Sequence, residues 1–99
     1  MSKWTFLTNH ALVLSSVAKH PRITARELGD AIGITERATR KIIADLVEAG
    51  YISKKREGMR NRYRINADLT LRHHTHDETA IGDLLVALGW KGRNRNKAS

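Results

Sequence analysis

The chain has 99 residues, room for one compact domain. Hydrophobic residues make up 40%, enough for a folded core, and Lys plus Arg outnumber Asp plus Glu by 18 to 10, for a formal charge of +8. That balance calls for an acidic partner, either nucleic acid or an anionic membrane surface. The absence of cysteine excludes disulfides, thiolate zinc sites and cysteine nucleophiles. No apolar run approaches the roughly 18 residues of a membrane span. The segment after Lys3 turns polar at Thr8 instead of continuing as an export signal. The expectation is a cytoplasmic protein.

A first helix is predicted to open at Thr8 or Asn9, either of which can cap it. Leu7, Ala11, Leu14 and Ala18 recur at helical spacing, widened by Val13 and Val17. It ends at His20, because the residue before Pro21 is driven out of helical backbone. Arg22 and Ile23 leave room only for a short extended piece. Thr24-Ala25-Arg26-Glu27 reads as a capping box for a second helix, with Leu28, Ala31 and Ile32 as its apolar face. Gly33 suits a left-handed stop, and Ile34 can pack back on the helix. Thr35 caps a third helix whose stripe is Ala38, Ile42, Ile43, Leu46 and Val47, and Gly50 ends it ahead of Tyr51. Two short amphipathic helices about a Gly33-Ile34-Thr35 turn make the helix-turn-helix pattern.

After Gly50 the period changes. Residues 51–56 and 60–65 read as strands, with Glu57-Gly58-Met59 as the loop of a hairpin. In the second strand Arg60, Arg62 and Arg64 share one face, and Asn61, Tyr63 and Ile65 share the other. A polar connection follows over residues 66–74. Thr75-His76-Asp77-Glu78 resembles a second capping box, opening a helix with Ile81, Leu84, Leu85 and Leu88 on one apolar face. Gly89 closes it, Trp90 reads as exposed, and residues 91–99 read as a flexible basic tail. The fold class expected is mainly α with a small β hairpin, in the order α-(short β)-α-α-β-β-α.

Residues 23–65 resemble the winged helix-turn-helix domain of bacterial and archaeal transcriptional regulators of the MarR and ArsR kind. The resemblance is nearest to small single-domain regulators that begin with a Trp-Thr-Phe-Leu-Thr-Asn-His-like segment, here residues 4–10. Those proteins carry a Gly-Ile-Thr-Glu-Arg-Ala turn, here residues 33–38, and an Ala-Gly-Tyr hinge into a basic wing, here residues 49–51. The resemblance implies a DNA-binding regulator, expected to be a repressor, built as one domain over residues 1–90 with terminal helices for dimerisation.

On a helical wheel, Arg37, Arg40, Lys41, Ala44 and Glu48 face away from the apolar stripe of the third helix. The bases cluster early and the acids Asp45 and Glu48 come late. The N-terminal half is therefore the part that suits a major groove. Arg37, Arg40, Lys41 and Ala44 are the expected base contacts, with Arg37 and Arg40 suited to guanine. The alternative is an ordinary solvated charged face. Thr39 falls on the core side. In the wing, Lys54, Lys55, Arg56, Arg60, Arg62 and Arg64 are the expected DNA contacts, at the minor groove or the flanking phosphates. Arg64 is the one most open to pairing with an acid of the scaffold. Thr24, Arg26 and Thr35 are expected phosphate contacts.

One such unit reads a short site, so a homodimer on a near-palindromic operator is expected. Trp4, Ile81, Leu84, Leu85, Leu88 and Trp90 are the expected interface, the alternative being that the last helix packs on its own chain. His73, His74 and His76 raise the question of a metal, but three histidines within four residues do not wrap one tetrahedral ion unaided. They are read as a solvated linker, with no cofactor and no metal expected, and any small-molecule effector is unknown. His10 and His20 read as structural. No catalytic constellation is present, so no enzyme is expected. Two other readings stay open: a non-specific architectural nucleic-acid-binding protein, and a winged-helix protein-interaction module. By segment, residues 1–50 carry +2, 51–66 carry +5, 67–90 carry −3 and 91–99 carry +4. The concentration in wing and tail favours a duplex met by one face, and argues against a membrane.

Overall fold

The computed structural model describes residues 4–92. Four helices and one hairpin follow in the order α1 (Asn9–Lys19), α2 (Ala25–Ile32), α3 (Glu36–Ala49), β1 (Ile52–Glu57), β2 (Arg60–Ile65) and α4 (Ile81–Ala87), with a single 3₁₀ turn at His74–His76. This is the expected α+β winged helix, in the expected order apart from the short β piece after the first helix. The three leading helices begin as their sequences prescribe. Thr8 accepts from the Ala11 N–H, Thr24 from the Glu27 N–H and Thr35 from the Ala38 N–H. Each hydroxyl satisfies one donor that the first turn leaves orphaned. At Thr24 the capping box is complete, the Glu27 carboxylate taking the Thr24 N–H at 2.9 Å.

The core joins Val13, Leu14 and Val17 of α1 to Leu28 of α2 and to Ile42, Ile43 and Leu46 of α3. The hairpin adds Ile52 and Tyr63, and α4 adds Ile81 and Leu85. The buried side of α2 is Ala25, Leu28 and Gly29, while Ala31, expected on the apolar face, is exposed. The reason is Gly29. A Cβ there would lie 2.7 Å from the Ile34 carbonyl oxygen and 3.0 Å from the Thr39 hydroxyl, so the bare backbone of α2 rests on the turn and on α3. This rotates the helix away from the Ala31 side. Thr39 is wholly buried, as its core-side position predicts, and its hydroxyl donates to the Thr35 carbonyl at 2.9 Å. Gly33, at φ 93°, makes the left-handed stop between the two helices.

The hairpin pairs antiparallel with Lys55 opposite Arg62, Ser53 opposite Arg64 and Glu57 opposite Arg60. Glu57 belongs to β1, so the loop is the two residues Gly58 and Met59, shorter than the expected three. The short β piece expected at Arg22 and Ile23 does not form a strand. A backbone bond from the Tyr63 N–H to the Pro21 carbonyl at 2.8 Å ties that segment to β2.

The last third departs most from expectation. Residues 66–74, expected as a polar connection, are partly paired and partly packed. Thr70 bridges Ala80, the Leu71 N–H donates to the Thr79 carbonyl, and Leu69 and Leu71 pack against the core. Tyr51 donates its hydroxyl to the Thr70 carbonyl at 2.6 Å, and its burial raises its pKa above the usual phenol value. The capping box expected at Thr75 does not form. His73 caps the 3₁₀ turn there instead, and α4 starts only at Ile81, behind Ala80, which offers no side-chain cap. Trp90 is partly buried against the core, not exposed. Its backbone N–H donates to the Leu85 carbonyl. The basic tail expected at 91–99 falls outside the described residues from 93 onward. No helix among the described residues is long and apolar enough to cross a membrane.

Candidate nucleic-acid interface

The outer face of α3 is built from one local fact. Thr39, Ile42, Ile43 and Leu46 turn inward, so the residues a third to half a turn away must point to solvent. Arg37, Arg40, Lys41 and Ala44 are all exposed, together on the N-terminal two-thirds of the helix. Arg40 is paired with Glu36 one turn earlier, and Lys41 with Asp45 one turn later at 2.8 Å. Asp45 also takes His10 of α1 at 2.8 Å. Its carboxyl is held below the usual range, first by the Lys41 bond and then by the His10 bond, while Lys41 is raised by the same partner. Such exposed pairs contribute little and exchange readily for other anions.

The wing stands beside this face. Arg40 and Ala44 of α3, Thr24 at the start of α2, and Lys54, Arg56, Arg60 and Asn61 of the hairpin line one cleft of about 190 Å³. A helix face, a helix start and a basic strand thus meet around a single groove. The hydroxyls of Thr24 and Thr35 accept the capping bonds, which leaves each hydroxyl proton for an outside acceptor. Arg26 is exposed on the first turn of α2.

The three wing arginines are not used as one row. Arg60 reaches the helix-turn-helix, donating to the Arg22 carbonyl at 2.9 Å and to Glu27 at 3.2 Å. Glu27 is lowered below the usual carboxylate range by its bond from the Thr24 N–H, and next by Arg60. The scaffold pairing expected of Arg64 therefore falls to Arg60. β2 enters beside α2 at its Arg60 end, whereas Arg64 lies four residues further along. Arg62 and Arg64 line a different cleft, of about 710 Å³, with Lys55, Pro21 and Trp90. Arg62 and Arg22 both approach Glu57 at 3.7 Å. Lys55 directly opposite Arg62 is a like-charge cross-strand pair, which costs stability unless an anion lies against it.

The expected dimer residues separate into two groups. Ile81 and Leu85, 5% and 1% exposed, are filled into the chain's own core and are not available to a partner. The Thr70–Ala80 bridge and the bonds from the Ile81 and Gly82 N–H groups to the Leu69 and Ala67 carbonyls hold the start of α4 against the preceding connection. Leu84, Leu88 and Trp90 are partly buried, and Trp4 is exposed. His10 is not merely a helix-end residue, since it joins α1 to α3 through Asp45. Sequence reasoning missed Gly29, Glu27 as a partner of Arg60, and the Asp45 node. Only Gly29 left a signal, a glycine in mid-helix beside the apolar Leu28.

Residues 8–53 match the model of a family described as winged helix-turn-helix DNA-binding. The matched stretch covers a little under half of the chain, from the start of α1 to the first residues of the wing. No curated protein matches the chain. The described residues thus have a winged-helix fold, and their leading half is similar to a winged helix-turn-helix DNA-binding family.

Proposed function

We propose that the protein is a sequence-specific transcriptional regulator, a repressor that binds a near-palindromic operator as a homodimer. The observation that carries this reading is the shared cleft between α3 and the wing, where Arg40 and Ala44 stand opposite Lys54, Arg56 and Asn61. The N-terminal half of α3 enters the major groove. There Arg37 and Arg40 read bases, Lys41 takes a base edge or a neighbouring phosphate, and small Ala44 permits close approach. Lys54, Arg56 and Arg60 grip the adjoining backbone from the inner side of the hairpin. Lys55, Arg62 and Arg64 reach the minor groove or phosphates further along. Thr24, Arg26 and Thr35 hold phosphates at the starts of α2 and α3. The kinship with MarR- and ArsR-type regulators rests on the resemblance at residues 4–10, 33–38 and 49–51.

Repression follows physically from occupancy, because a duplex held along α3 and the wing is closed to other proteins. Selection of bound duplexes from a random library tests the reading. A recovered motif with two half-sites about one helical turn apart supports it. A specificity ratio near one over random duplex would replace it with non-specific architectural binding.

A further inference from the structure

Large apolar side chains exposed among the described residues include Met59 at the wing tip and Val86 on α4, and two that belong together. Trp4 is 69% exposed and Phe6 89%, and their rings meet edge to face with centroids 4.9 Å apart. The Thr5 hydroxyl donates to the Leu7 carbonyl at 2.6 Å, which fixes a bend just ahead of Thr8. The pair is thus presented as one apolar unit on a short arm, and the chain's own core does not take it up. Exposed aromatic patches of this kind mark interaction surfaces.

At the root of the arm lies a groove of about 900 Å³ between α1, the C-terminal half of α3 and α4. Its floor is Leu14, Leu46, Leu71 and Leu84, and its rim carries His10, Glu48 and Arg72. An apolar floor within a polar rim is the anatomy of a protein–protein interface. Thr8 lines the groove's edge, so each chain offers an apolar arm and an apolar receptor side by side.

We infer that the Trp4–Phe6 pair of one chain seats in this groove of a second copy, which returns its own pair. The inference rests on the dimeric reading proposed above and names the surface that makes the dimer. An exchange of identical arms into identical grooves closes on a two-fold axis, with nothing left to polymerise. The area suffices. An aromatic side chain buries roughly 150–250 Å², so four rings and the groove walls they cover reach the roughly 1,200–2,000 Å² of a stable interface. The same seating leaves the wing and the early half of α3 free for DNA.

The test is the mass of the full chain in solution, by light scattering over a dilution series. The wild type is expected at twice the chain's 11.2 kDa, and W4S/F6S at the single mass with an unchanged helical circular dichroism spectrum. Both substituted residues are exposed, so folding is not at stake. Ala11→Arg, which places a charge in the groove, is expected to give the single mass as well. In a Trp90→Phe background Trp4 is the one fluorophore of its kind, and its emission should move to longer wavelength as the dimer dissociates. A wild type of single mass overturns the inference. So does a W4S/F6S variant that stays dimeric, or a dimer whose Trp4 emission ignores dilution. Duplex binding to a single half-site, measured on the same proteins, reports the DNA-binding reading separately. W4S/F6S should retain it, and its loss from the wild type would sink that reading while leaving the arm exchange standing.

Discussion

Arg60 of the wing donates to Glu27 of the helix-turn-helix at 3.2 Å, and the oxygen it meets is the one that already takes the Thr24 N–H at 2.9 Å. One carboxylate therefore closes the cap of α2 and fastens the hairpin to it. Glu27 is lowered below the usual carboxylate range by these bonds. Its contribution to stability is present above the ordinary carboxylate pKa of about 4 and fades as pH falls through the lowered folded value. Asp45, lowered by Lys41 and His10, acts in the same direction. Thermal midpoints should thus hold steady from neutral pH toward about 5 and fall below about 4. In Glu27→Gln the acid decline should be shallower. An identical decline in the variant would show that the bond contributes nothing to acid sensitivity.

Gly29→Ala tests the contact on which the helix-turn-helix angle depends. Alanine is favoured over glycine in a helix by about 1 kcal/mol. Here its Cβ would stand 2.7 Å from the Ile34 carbonyl, a backbone atom that has little room to yield. Overpacking of this kind costs roughly 1–3 kcal/mol, so the variant should be destabilised on balance. A higher urea midpoint than wild type would reverse that conclusion.

Arg40 and Arg56 line the same cleft from opposite sides and should fail differently. Arg40→Ala should cost about 1–3 kcal/mol at one base position and relax preference there. Arg56→Ala should weaken all sequences alike and reduce the salt slope by about 1. Titrations of specific and random duplexes at several salt concentrations separate the two. Equal losses on both duplexes for Arg40→Ala would remove it from base reading.

Leu85 and Val86 are neighbours on α4 with opposite surroundings, 1% and 47% exposed. Leu85→Ala should lose about 2–5 kcal/mol of unfolding free energy through the cavity it leaves. Val86→Ala should stay within about 0.5 kcal/mol. If Leu85→Ala alters association while stability is kept, α4 is an interface helix after all.

Most of the fold was legible in the sequence because its signals are local. Thr8, Thr24 and Thr35 each stand where a first turn needs an acceptor, and Gly33 and Gly50 stand where a helix must stop. The alternation of Arg60, Arg62 and Arg64 against Asn61, Tyr63 and Ile65 gave the hairpin its faces. The start of α4 was misplaced because Thr75 to Glu78 has the form of a capping box, yet the backbone just after it, residues 79–81, is claimed by pairing with residues 69–71. That pairing links residues some ten apart in the chain and leaves no periodic trace.

For the site, the sequence alone determined which side chains are basic and which face of α3 is free of the core. It also placed the charge in the wing. It did not determine how that charge is divided. The approach of the first residue of β2 to the start of α2 commits Arg60 to Glu27. Arg56 lines the α3 cleft, Arg62 and Arg64 line another, and Lys54 borders both. Likewise the leucines of α4 were visible as an apolar face, but whether they meet their own chain or a second copy depends on where α4 lies. The tertiary structure decided it for Ile81 and Leu85, because apolar surface is buried by whichever surface lies nearest, and that nearness is a property of the fold and not of the segment.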